Sequence, residues 1–456
     1  MDLTRRQLFA ASLAPALAAN LGAQTRPPNF VILFADDMGY SDLGCYGNPV
    51  IRTPNLDRLA QEGMRFTSFY AAASVCTPSR VGLLTGRYPV RAGQPNNTGP
   101  ETVGGLPLSE ILLPQVLKKR GYRTMAIGKW HLGYKPVAQL PTSRGFDSYF
   151  GLPYSNDMIP PWVKTEVPLH LYRDTEIVER ASDQSQLTPR YTGEAVKFIR
   201  SSKEAPFFLY VPYAMPHLPV SAPAGRVGRS RAGIYGDTIE TLDWSAGEIM
   251  KALRDEGLER NTMVVFCSDN GPWHNLPARM LAQGVEPWHT GTKGMLRGAK
   301  GTTYEGGIRV PGIFRWPGTI PAGQSSADLA STLDLFPTIA RAAGAAVPDD
   351  RVYDGHDLLP ALRSGGATPR QDFYYCLGRV LEGVREGSWK YRFARVPSDI
   401  DGADTGQAPA AQLFHLDWDP AEQYNLAGRY PEVAARLAAK LKRFAGEIGA
   451  QLPASP

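Results

Sequence analysis

Apolar residues fall in short unbroken runs along the first two thirds of the chain, and each run stops abruptly at charged or amide residues. Asn29 to Phe34 (NFVILF) ends at Asp36-Asp37. A run with no polar alternation predicts a strand buried on both faces. Thr262 to Ser268 (TMVVFCS) repeats the pattern and ends at Asp269-Asn270-Gly271. Tyr122 to Ile127 ends at Gly128-Lys129-Trp130-His131, and Phe207 to Tyr213 runs toward His217. Helical patterns lie between these runs: Pro54 to Gln61 with Thr53 as N-cap and Gly63 as stop, Pro114 to Arg120 stopped by Gly121, and Thr238 to Asp255. The alternation predicts an α/β fold, a large and mostly parallel sheet flanked by helices. Ligands bind beyond the carboxyl ends of the strands in such sheets. The four runs are therefore expected to deliver carboxylates, a lysine and two histidines to one rim.

The periodicity fades from Ile159 to Pro189 and again from Pro272 to Gly301, where Pro, Gly and polar residues multiply. Both stretches read as long loops that border a pocket. Beyond Gly344 a Pro/Gly/Asp-rich connection leads to strand-like pieces at Asp372 to Leu377, Gly387 to Ala394 and Leu413 to Leu416, then to an amphipathic helix from Pro431 to Ile448. These predict a small C-terminal α+β subdomain. The expected division is a leader at 1–23, a catalytic α/β domain at 24–345, and an antiparallel sheet plus helix at 346–456.

Composition narrows the class. With 43% hydrophobic and 20% charged residues over 456 positions, the chain is an ordinary globular protein with material for one large unit and a smaller one. The net charge of +5 includes a net +1 from Asp2, Arg5 and Arg6. The remainder mildly favours anionic substrates, but the basic residues form no stripe of the kind that binds nucleic acid. Thr4-Arg5-Arg6-Gln7-Leu8-Phe9 and the Ala/Leu-rich stretch from Ala10 to Leu21 resemble a twin-arginine export signal. A general secretory signal or an N-terminal helix are the other readings. The apolar stretch is short for a membrane span. The expectation is a periplasmic or secreted protein without a stable membrane span. Cys45, Cys76, Cys267 and Cys376 are too few and too dispersed for a disulfide framework, and no paired spacing marks a zinc site.

The candidate chemistry centres on Cys76-Thr77-Pro78-Ser79-Arg80, which reads as a helix start with Pro78 in its first turn. Free N–H groups there favour an anion beside Cys76. A lone cysteine would otherwise pack as a small hydrophobe. Asp36, Asp37, Asp269 and Asn270 are all oxygen donors, a set that suits Ca²⁺ or Mg²⁺. Each pair taken alone equally fits a turn or a helix cap. Their recurrence at two strand ends favours a metal, calcium by preference.

Taken together, PNFVILFADDMGYSDLGCYG, CTPSRVGLLTGR, GKWHLG, PFFLY before His217, SDNG and GAKGTTYEGG resemble successive blocks of the type I sulfatases between Pro28 and Pro317. The resemblance implies conversion of Cys76 to formylglycine by a formylglycine-generating or sulfatase-maturating enzyme. It implies a cation held by Asp36, Asp37, Asp269, Asn270 and residue 76. Arg80, Lys129, His131, His217 and Lys300 would surround the sulfate of a sulfated small molecule or carbohydrate, with Ser155 as a further contact. A hydrated aldehyde carries two hydroxyls, one to attack and one to expel sulfate later. Arg80 and the cation would favour the ionised diol, and Asp269 would accept its proton. Lys129 and Lys300 would stabilise the transition state, His217 with Lys300 would protonate the leaving oxygen, and His131 would take the last proton. His170, His356 and His415 read as structural, and His274 and His289 as candidate substrate contacts; Trp273 and Trp288 would fit stacking on a ring. Two other readings stand beside hydrolysis of aryl or carbohydrate sulfates. One is a phosphonate or phosphate ester hydrolase of the same superfamily, and the other a non-catalytic binder of sulfated glycans.

Overall fold

The computed structural model describes residues 26–393 and 411–453. The leader at 1–23 and position 394 lie outside the described residues. A ten-stranded sheet runs through the larger part in the order Gln324–Ser331, Met64–Tyr70, Gly312–Arg315, Thr262–Ser268, Asn29–Ala35, Phe207–Pro212, Arg123–Ile127, Ser148–Gly151, Leu171–Arg173, Glu176–Glu179. The four apolar runs of the sequence are neighbours in the middle of this sheet and pair in parallel. The sheet as a whole is mixed. Gly312–Arg315 is antiparallel to both its neighbours, and the far edge is a hairpin that turns at Asp174 with φ 55.

Side chains of the central strand alternate between two apolar cores. Phe30, Ile32 and Phe34 join one, and Val31, Leu33 and Ala35 the other. The first core takes the helices Cys76–Thr85 and Leu335–Ala342, and the second takes Leu187–Ser201 and Gly233–Asp255. Such two-sided burial is why these strands carry no polar alternation. The helix expected from Thr238 starts earlier, at Gly233, and the one expected from Pro114 spans Leu113–Lys118. Pro54–Gln61 matches its expected bounds, although the Thr53 hydroxyl donates to Asp57 and accepts from the Gly44 N–H rather than from a helix N–H. The stretch from Ile159 to Pro189 is not wholly loop. It contains the edge hairpin and the start of the helix Leu187–Ser201.

The C-terminal part forms a four-stranded antiparallel sheet of Asp372–Leu377, Val380–Glu386, Trp389–Phe393 and Ala411–His415, against which the helix Pro431–Ile448 packs. Its Phe373, Tyr375, Leu381 and Leu413 belong to the same core as Phe34 and Val81. The small sheet therefore shares its apolar interior with the large one.

Buried charge joins them as well. Glu305 accepts from Lys390 and Tyr375 at 2.9 Å each, and also from Tyr70. Lys390 lies 2.8 Å from Glu422, whose other oxygen accepts the Glu305 N–H at 2.7 Å. Burial alone would raise the Glu305 carboxyl, but Lys390, Arg309 and Arg385 outweigh it and pull it down to about 2. A depressed carboxyl stabilises the fold above its unfolded value and loses that contribution as pH falls toward the folded value. Glu305→Gln is therefore expected to cost about 3–5 kcal/mol at neutral pH, because it strands buried cations. Urea unfolding of both proteins should show the gap closing as pH falls from 4.5 toward about 2.

Candidate functional site

Parallel register sets the site. Ala35 pairs with Ser268, so the two polar pairs that follow emerge side by side. The Asp37 N–H donates to Asp269 Oδ1 at 3.1 Å, and Asn270 Nδ2 donates to Asp37 Oδ1 at 2.7 Å. Asp37 holds a left-handed backbone, φ 61, and His131 does likewise at φ 57. Strain of this kind persists where surrounding structure over-determines it. Gly128 allows the next strand to come close. At its φ of 129 a Cβ would lie 1.9 Å from the Pro212 carbonyl oxygen.

The helix Cys76–Thr85 is buried along its whole length, with Cys76 as its first residue and Pro78 in the first turn. From this helix Arg80 donates to the Lys129 carbonyl at 2.7 Å and to Asp269 Oδ2 at 2.8 Å, and lies 3.5 Å from Asp36. Lys129 Nζ is 2.5 Å from the other oxygen of Asp36, and Lys300 Nζ is 2.8 Å from Asp37. Cys76 Sγ stands 3.6 Å from Asp36 and 3.4 Å from Lys300 Nζ. Lys300 Nζ also lies 2.9 Å from His217 Nε2.

Burial would raise Asp36, yet Lys129 and Arg80 hold it well below the usual carboxylate range. Burial, followed by repulsion from Asp36, pushes Asp269 up to about 7. Burial lowers both histidines. Lys129 and Arg80 add to the effect at His131, and at His217 Asp37 opposes burial while Lys300 and Lys129 reinforce it. The Cys76 thiol is pushed well up by burial, against the pull of Lys129 and Lys300, so it stays protonated.

The histidine tautomers follow from their partners. His131 Nε2 donates to the Thr98 carbonyl at 2.8 Å, which leaves Nδ1 as an acceptor with no partner. His217 Nδ1 donates to the Leu218 carbonyl at 2.6 Å, which leaves Nε2 to accept from Lys300.

Cys76, His131, Ser155, His217 and Lys300 all line one cavity of ≈ 140 Å³. Arg80 and Lys129 lie behind it, fully buried against the carboxylates. Asp36, Asp37, Cys76 and His217 present ligand atoms within 4.8 Å of one another. This cluster could hold a metal ion, and Asn270 Oδ1, which among the described residues is buried without a hydrogen-bond partner, is a further donor next to Asp37.

A family model described as Sulfatase matches residues 28–345. The chain is 41% identical to arylsulfatase A of Homo sapiens over 466 residues, covering 93% of this chain and 89% of that protein. It is 43% identical to N-acetylgalactosamine-6-sulfatase of Canis lupus familiaris over 451 residues, covering 90% and 84%. Among solved structures, the PsFucS1 sulfatase from Pseudoalteromonas sp. superposes with a TM-score of 0.81 at 29% identity, covering 93% of this chain and 91% of that one.

The chain belongs to the sulfatase family.

As a type I sulfatase it is a sulfate ester hydrolase, and its fold matches the expected architecture of large sheet and small C-terminal sheet. The cavity of this sulfatase also holds residues that the sequence reading passed over. Asp157 and Met158 follow Ser155 closely, while Asn97, Val163 and Arg279 come from loops with no recognisable pattern. Trp273 lines the cavity, whereas the ring of His274 turns to the Gly291 carbonyl and that of His289 to the Glu286 N–H; neither lines the cavity. Trp288 is 70% exposed on a separate groove.

The charge balance gives a direct test. Asp36→Ala removes the partner of buried Lys129 and a neighbour of Arg80. In metal-free protein it is expected to cost about 3–5 kcal/mol by urea unfolding.

Proposed function

We propose that residue 76 is carried as formylglycine and that the enzyme cleaves sulfate monoesters, aryl or carbohydrate, beside a divalent cation held by Asp36, Asp37, residue 76, Asp269 and Asn270. The observation that carries this reading is the buried residue 76 at a helix start, between Asp36 and Lys300, on the wall of a cavity whose other polar atoms await a ligand. Sγ marks where the oxygen of the converted side chain would stand. A thiol kept protonated by burial is a poor nucleophile, so an unconverted Cys76 would be ill suited to attack sulfate itself. The hydrated aldehyde supplies a hydroxyl nucleophile, and a hard cation, calcium in preference to magnesium, supplies charge that favours its ionised form.

The chain's own residues divide the remaining work. Arg80 donates to Asp269 and fixes its orientation, and Asp269 is assigned to accept the nucleophile's proton. Lys300 and the unpartnered Ser155 hydroxyl hold sulfate oxygens, and Lys129 adds fixed positive charge from behind the cavity, where burial strengthens it. His217, held with Nε2 2.9 Å from Lys300, is assigned to protonate the leaving oxygen from its imidazolium form, whose positive charge Asp37 favours. His131 Nδ1, its tautomer fixed by Thr98, receives the proton released when sulfate is expelled. The twin-arginine-like leader at 1–23 supports export to the periplasm or beyond, and among the described residues no helix is long and apolar enough to cross a membrane. We place the catalytic domain at 24–345 and the C-terminal subdomain at 346–456. The maturating enzyme would act on Cys76 before export.

Mass analysis of the peptide containing residue 76 should show a formyl group in place of the thiol, and turnover of an aryl sulfate should rise in proportion to the converted fraction. Activity in wholly unconverted protein, or faster turnover of a matched phosphonate ester, would overturn the reading. His217→Ala is expected to lower kcat by about 10²–10⁴ while sulfate binding changes far less. An unchanged kcat would remove His217 from proton transfer.

A further inference from the structure

Among the described residues, four buried polar atoms around the cavity have no hydrogen-bond partner: His131 Nδ1, Ser155 Oγ, Asp157 Oδ1 and Trp273 Nε1. A buried polar group left unpaired is costly, and a carboxylate more so. Native structures keep such groups where a ligand, an ion or an ordered water satisfies them. The proposed reaction uses His131 and Ser155 on the sulfate side. It leaves Asp157 and Trp273 without a role.

Their positions show which part of a substrate they meet. Asp157 Oδ1 lies 4.0 Å from His217 Nδ1, and its side chain is only 7% exposed. The Trp273 ring lies 5.8 Å from the His217 ring and 4.7 Å from Lys300 Nζ. Both residues thus flank the imidazole that faces the leaving oxygen. With Lys300 and Ser155 assigned to the sulfate oxygens, the rest of the cavity wall, Asp157 and Trp273 included, is left for the alcohol that departs.

The chemistry of that alcohol follows. Asp157 offers only acceptor oxygens, so it calls for a donor, and the indole N–H of Trp273 calls for an acceptor. Met158 and Val163 line the same cavity and give it an apolar wall. A ring with a hydroxyl on one edge, an oxygen on another and a C–H face matches all three demands. An unsubstituted aryl ring supplies neither donor nor acceptor and would leave the carboxylate dry and unpaired.

We infer that the alcohol released is a sugar, and that Asp157 selects it by accepting a hydrogen bond from a ring hydroxyl near the sulfated carbon. The inference rests on the sulfate-ester reading of the same site and narrows it to a polyhydroxylated ring. Asp157 is then a specificity residue, distinct from the groups that move protons or hold sulfate.

The test uses full-length enzyme whose conversion at residue 76 has been verified by mass. Wild type and Asp157→Asn are assayed on p-nitrophenyl sulfate, on hexoses sulfated singly at each hydroxyl, and on deoxy analogues of the best hexose sulfate that lack one neighbouring hydroxyl each. Asp157→Asn is expected to lower the ratio of kcat/KM on the best sugar sulfate to that on the aryl sulfate by about 10²-fold. For wild type, removing the hydroxyl that faces Asp157 should cost a similar factor, and Asp157→Asn should no longer distinguish that pair. The deoxy comparison on wild type needs no variant to fold.

Equal loss on sugar and aryl sulfates would show that Asp157 acts through His217 or the fold, and would overturn the inference. So would a wild-type enzyme indifferent to every neighbouring hydroxyl, or one that turns over the aryl sulfate and none of the hexose sulfates. In those cases the sulfate-ester reading survives. Failure of verified enzyme on every sulfate ester would overturn that reading and the inference with it.

Discussion

Three carboxylates and three cationic side chains meet with almost no water at the carboxyl ends of two neighbouring strands, and the rest of the molecule is arranged to make that tolerable. Asp36, Asp37 and Asp269 face Arg80, Lys129 and Lys300, and every one of the six is buried. Any one of them left alone would carry a heavy desolvation penalty. Their cancellation is close only because the parallel register places Asp36-Asp37 and Asp269-Asn270 at the same height and because one guanidinium reaches both strands. The result is a site polarised before any substrate arrives. Fixed charge of this kind needs no reorganisation when negative charge shifts during reaction.

The two histidines show how such a field assigns work to otherwise similar groups. Both are buried and both are held neutral. Their backbone partners are opposite: Thr98 takes the Nε2 proton of His131, and Leu218 takes the Nδ1 proton of His217. One ring therefore presents Nδ1 to the cavity and the other presents Nε2 to Lys300. The distinction lies in carbonyl oxygens far apart in the chain, so composition alone could not express it.

Much of the centre was nonetheless legible in the order of residues. Strands covered on both faces must be apolar throughout, so Asn29–Ala35 and Thr262–Ser268 announce themselves, and the acidic pairs that end them stand out by contrast. The edges were not legible, for the complementary reason. Gln324–Ser331 lies at a border of the sheet with much of its length exposed, and its polar residues resemble a loop. The helix Leu187–Ser201 has no side-chain cap of its own, and the capping Asp183 stands before a short turn at Gln184–Gln186, so the start signal is displaced from the helix. Val380–Glu386 breaks its apolar pattern with Glu382, Gly383 and Arg385, and Arg385 is needed where the two sheets meet. Asp157 escaped notice because nothing in its neighbourhood is periodic. Its significance lies in the partner that it lacks.

The buried cluster of Glu305, Lys390 and Glu422 bears on the reaction centre more than its distance in sequence implies. Glu305 stands five positions after Lys300, at the end of the same irregular segment, and it is fastened by groups that the ribosome supplies last. The small sheet thus works as a keystone for the lysine above residue 76. A polypeptide cut short of residue 422 would possess every side chain of the catalytic rim and still lack the anchorage that holds one of them in place.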